Sequence, residues 1–70
     1  MDISKVIDQI TPEKIERRMT GWSAFEWEGV KENYYEYRAA LGPEATKTLS
    51  EFAYGLAAQN ELYAAFMAAQ

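Results

Sequence analysis

The sequence predicts an all-α fold: two long helices, about 23–41 and 43–69, form an antiparallel hairpin capped by two short N-terminal helices, about 3–10 and 12–20. Three observations lead there. Apolar residues recur three and four positions apart through most of the chain, which is the period of a helix and not the alternation of a strand. Helix-start and helix-stop residues fall between those periodic stretches. The chain also has no cysteine and no histidine, so neither disulfides nor the commonest metal ligand can stand in for helix packing.

The first helix rests on Ile3, Val6, Ile7 and Ile10, an i, i+3, i+4, i+7 set. Thr11-Pro12-Glu13 then reads as a start signal: a hydroxyl cap, a proline at the first helical position and an acid in the first turn. The second helix runs from there to about Thr20, with Ile15 and Met19 inward and Glu13 and Arg17 one turn apart, and Gly21 ends it. Ser23-Ala24-Phe25-Glu26 fits a capping box, in which the serine and the glutamate each satisfy the other's free backbone amide. Trp22, just before that cap, reads as a staple-like contact, with a surface anchor as the other option.

Trp27, Val30, Tyr34, Tyr37 and Leu41 make the seam of the third helix. Gly42-Pro43 ends it and opens the fourth, because proline fits a first helical position and cannot extend the preceding helix. The fourth helix sets Ala45, Leu49, Phe52, Leu56, Gln59, Tyr63 and Phe66 on one stripe, with Gly55 a tolerated weak point. At ~1.5 Å per residue the fourth helix is ~40 Å long and the third ~28 Å, an overhang of ~12 Å that the N-terminal helices are placed to cover.

Composition narrows the function classes. Seventy residues make a single helical domain, 1–70, of a size at which a core alone leaves little net stability and association often adds to it. The formal charge is −4, and Arg17-Arg18 is the one adjacent basic pair, so direct binding to nucleic-acid phosphates is not expected. No apolar stretch reaches the roughly 20 residues of a membrane span, and the N-terminus carries no secretory pattern. The expectation is a cytoplasmic protein that does not enter membranes.

The residue types offer no catalytic arrangement. Ser4, Ser23 and Ser50 have no histidine beside them, and no serine–lysine motif occurs. A di-iron bundle needs Glu-x-x-His pairs, and the isolated glycines 21, 29, 42 and 55 make no phosphate loop. A helix-turn-helix over 11–30 would start its recognition helix with Phe25-Glu26-Trp27-Glu28, which points carboxylates at phosphates. The expectation is therefore no enzyme, no cofactor and no metal.

Two surfaces remain once the seams are packed. On the third helix Glu28, Glu32 and Glu36 form an i, i+4, i+8 row opposite the seam, flanked by Phe25 and Tyr35. Like charges one turn apart are mildly destabilising. The row reads either as a solvated acidic face or as a partner-binding surface of aromatic anchors ringed by carboxylates. On the fourth helix Ala53, Ala57, Asn60 and Ala64 form a strip of small side chains, and Leu62 to Ala69 is apolar nearly all round. Either the N-terminal helices cover that strip, or it is a self-association face in a homodimer, the commonest kind of oligomer.

The functional expectation is a small regulatory protein–protein interaction module (an inhibitor, adaptor or anti-activator) that docks on a larger host protein. Compact, acidic, cysteine-free chains of this sort are common among phage- and prophage-encoded regulators. Two alternatives stand beside it: a nucleic-acid mimic that blocks a DNA- or RNA-binding groove, and a small structural or assembly subunit.

Overall fold

A computed structural model describes residues 3–42 and 47–70. Among them there are four helices and no strand: α1 (Ile3–Asp8), α2 (Pro12–Thr20), α3 (Ala24–Leu41) and α4 (Leu49–Ala68). No helix of the described residues is long and apolar enough to cross a membrane.

The caps explain where α2 and α3 begin. The Thr11 hydroxyl accepts the Lys14 amide at 3.3 Å, and Pro12 takes the first helical position, so α2 starts where the sequence placed it. Ser23 likewise accepts the Glu26 amide at 3.2 Å and opens α3. The Trp22 and Trp27 rings meet edge to face, 5.0 Å between centroids. They flank the cap as a hydrophobic staple does, which fixes the angle at which the chain enters α3. At the far end Gly42, with φ 80° and ψ 173°, donates its amide to the Arg38 carbonyl at 2.9 Å. A side chain would strain that backbone, so glycine is what lets the chain leave α3 there.

The fourth helix differs from the expectation. Lys47 and Thr48 are not helical, so no continuous helix runs over 43–69, and α4 begins at Leu49. The reason is a capping box at Thr48-Leu49-Ser50-Glu51. The Thr48 hydroxyl accepts the Glu51 amide and the Glu51 carboxylate accepts the Thr48 amide, each at 3.2 Å. Two amides with no partner inside the helix are thereby satisfied, an arrangement worth about 1 kcal/mol. Pro43 as a helix start, and Ala45 as a seam residue, lie outside the described residues. With 20 residues in α4 and 18 in α3, the rods are ~30 and ~27 Å long, and most of the expected 12 Å overhang disappears.

The hairpin is antiparallel. Phe52 meets Tyr37 and Tyr34 of α3, with ring centroids 5.5 and 5.8 Å away. Further along α4, Leu56 and Asn60 share a recess with Val30 and Trp22, so α4 advances as α3 runs back. Yet α4 packs most extensively against α2, then α1, and least against α3. Phe52 turns to α3, which leaves the Ala53/Ala57 face, about 100–140° round the helix, to α2 and α1. Both alanines are fully buried. A methyl group is all that separates the α4 backbone from its neighbour there, and helix separation shrinks with the side chains at the contact.

The core takes at least one residue from every helix: Val6, Ile15, Val30, Tyr34, Ala53 and Ala57. Several expected seam positions are wetter than the periodicity implied. Trp27, Tyr37, Leu49, Phe52 and Leu56 are half-buried. Leu41, Gln59, Tyr63 and Phe66 are exposed, as is Ile7 on α1. The two short helices and α3 cannot enclose a 20-residue helix on every side, so the stripe loses its cover toward the C-terminal end.

Candidate functional site

The outer face of α3 is assembled from its own periodicity. At about 100° per residue, Phe25, Glu28, Glu32, Tyr35 and Glu36 fall within an arc of about 100°, and Val30 and Tyr34 point the other way. All five are exposed, while Val30 and Tyr34 are buried. Phe25 is 87% exposed and Tyr35 63%, so neither aromatic belongs to the core. Exposed single apolar residues are ordinary; two aromatics on one acidic face, on a helix anchored by its other side, form a defined surface.

The backbone beneath this face is held firmly. Phe25 lies in the first turn of α3, between the Ser23 cap and Trp27 of the staple. Tyr35 sets its ring edge against Tyr34, 5.5 Å between centroids, and Tyr34 is buried against Phe52. Tyr35 is thus an exposed ring backed by a core ring, and an anchor restrained in this way loses less side-chain freedom on binding.

The acidic row is less uniform than its spacing suggests. Lys31 approaches Glu28 at 3.5 Å, an i, i+3 pair with both side chains largely in water. Such surface pairs add little stability, but this one offsets charge at one end of the row. Glu32 and Glu36 then carry the negative potential beside Tyr35. Among the described residues no group of three or more carboxylates gathers as a metal site. Trp22 is half-buried against Trp27 and serves as the staple, so it is no third anchor.

The proposed self-association strip is divided by the structure. Ala53 and Ala57 are fully buried within one chain, whereas Asn60 and Ala64 are exposed. The first two cannot meet a second copy while the fold is intact. Their small size serves close packing inside the chain, which corrects that part of the sequence reading.

A different apolar surface lies toward the C-terminal end of α4. Leu62, Tyr63 and Phe66 of α4, with Gln59 and with Val6 of α1, line a cleft of about 400 Å³. The run Leu62 to Ala69 was its signal in the sequence, and the heptad-like stripe had assigned Tyr63 and Phe66 to the core. Tyr63 is instead 67% exposed and Met67, one turn beyond, 51%.

Comparison with protein-family models, with curated proteins and with solved structures finds no match for this chain.

Proposed function

We propose that this chain is a small regulatory interaction protein, with no catalytic role, that docks on a larger protein through the outer face of α3. One observation carries the reading: Phe25 and Tyr35 stand exposed on the same arc as Glu28, Glu32 and Glu36, on a helix whose opposite side is fixed in the core. Aromatic anchors supply most of the energy of such interfaces. The surrounding carboxylates select a partner with a basic rim and speed encounter. An inhibitor, an adaptor and an anti-activator would all use this chemistry.

The Glu28–Lys31 pair favours this reading over nucleic-acid mimicry, because a phosphate mimic gains nothing from a lysine that offsets one of its carboxylates. A structural subunit that works through the alanine strip is disfavoured by the burial of Ala53 and Ala57.

The test is affinity capture from the source cells, comparing the native chain with two double variants at low and high salt. Docking by the aromatics predicts that Phe25→Ala with Tyr35→Ala weakens retention at least about tenfold, while the native chain keeps its partner in high salt. Mimicry predicts the reverse: loss in high salt and with Glu28→Lys plus Glu32→Lys, and indifference to the aromatic pair. A partner held equally by all three chains would remove α3 from the binding surface.

A further inference from the structure

We infer that the C-terminal half of α4, together with α1, is a self-association surface at which a second copy of this chain docks by two-fold symmetry. The surface is distinct from the outer face of α3, so either reading can fail without the other.

The apolar area comes first. Leu62, Tyr63, Phe66 and Met67 are 41, 67, 40 and 51% exposed and follow one another along two turns of α4. Four large side chains about half exposed, at roughly 200 Å² each, present on the order of 400 Å² of apolar surface, within the range of the largest patch on a typical monomer. A stable interface takes about 800 Å² per partner, so this patch is the centre of an interface whose rim would be Gln59, Ile7 and their neighbours.

Charge then selects the occupant. A chain of net charge −4 repels its own copy wherever carboxylates would meet. Beyond Glu51 the sequence holds one charged side chain, Glu61, and α1 beside the patch carries Lys5 and Asp8, one of each sign. This end of the molecule is nearly neutral, while the outer side of α3 carries three glutamates. Two copies can approach here without bringing the acidic rows together. A strongly basic partner, by contrast, would find little to pair with.

Shape supports the same choice. The cleft beside Val6 can admit a bulky side chain, and Met67 stands half exposed one turn beyond Tyr63. A hole and a knob on one patch meet the requirement of an isologous contact, in which each copy fills the other's cleft. Methionine suits such a role because it adapts to irregular gaps. The chain is also short of core: among the described residues Val6 is the one large side chain that is fully buried.

The experiment is sedimentation equilibrium of the full chain across a wide concentration range, in low and high salt. The expected result is a monomer–dimer equilibrium that salt leaves unchanged or strengthens. Tyr63→Glu and Met67→Lys, both at exposed positions, should each raise the dissociation constant at least about tenfold with the helical circular dichroism unchanged. Glu32→Lys should leave the dimer intact. A monomer at every concentration, or a dimer that both α4 variants leave intact, would overturn the inference.

Discussion

The two halves of α4 have similar composition and opposite fates. Residues 49–58 hold Ala53 and Ala57 at full burial and Phe52 against two tyrosines of α3. Residues 59–68 hold no buried side chain, although Leu62, Tyr63, Phe66 and Met67 are as large and apolar as Leu49, Phe52, Tyr54 and Leu56 of the first half. What differs is the company each half keeps, not the hydrophobicity of its residues. The first half lies between α3 and the N-terminal helices, and close helix approach requires alanine there. The second half has α1, a helix of 6 residues, as partial cover. Apolar periodicity states which side chains gain from leaving water; whether they leave depends on the length of the neighbours.

Three sets of substitutions would break or sharpen this contrast, each measured by urea or thermal unfolding. Ile15→Ala removes the buried side chain that α2 contributes to the core, and the expected loss is about 2–5 kcal/mol, enough to unfold much of a domain this small. Loss of less than about 1 kcal/mol would show that α2 is not the cover that buries the first half of α4. Next, Ala57→Leu and Ala64→Leu place the same bulk in the two halves. Ala57 is fully buried, so overpacking should cost about 1–3 kcal/mol, while exposed Ala64 should change stability by no more than about 0.5 kcal/mol. Equal effects would erase the distinction. The smallest effect concerns Gly55, which sits within the helical first half, with nothing within 4 Å of where a Cβ would be. Gly55→Ala should therefore stabilise by about 0.5–1 kcal/mol through helix propensity.

Much of this architecture is legible in the residues, and the misreadings have physical causes. Thr11-Pro12 and Gly21 bracket α2 as read, and the Ser23 hydroxyl caps α3 through the Glu26 amide, one half of the capping box read there, because a cap's chemistry is local. The start of α4 was misplaced because two start signals compete within six residues. Gly42-Pro43 carries a proline signal outside the described residues, and Thr48 to Glu51, which satisfies two backbone amides at once, opens α4. The acidic face of α3 was legible because a glutamate row opposite an apolar seam has one stable orientation. The alanine strip was not. Alanine suits a solvated helix surface and a close helix contact equally well, so the burial of Ala53 and Ala57 depends on where α1 and α2 come to rest. Tyr63 was assigned to the core for a related reason: the stripe it continues is real, but the partner ends before reaching it.

The Trp22–Trp27 contact has a practical consequence. These are the chain's two tryptophans, and both sit at the corner where α2 passes into α3. Intrinsic fluorescence will therefore report the opening of that corner, whereas far-ultraviolet dichroism averages over all four helices. Coincident curves from the two signals would mean that the molecule melts as one cooperative unit, and an earlier dichroism change would mean that the free end of α4 frays while the indole pair still holds.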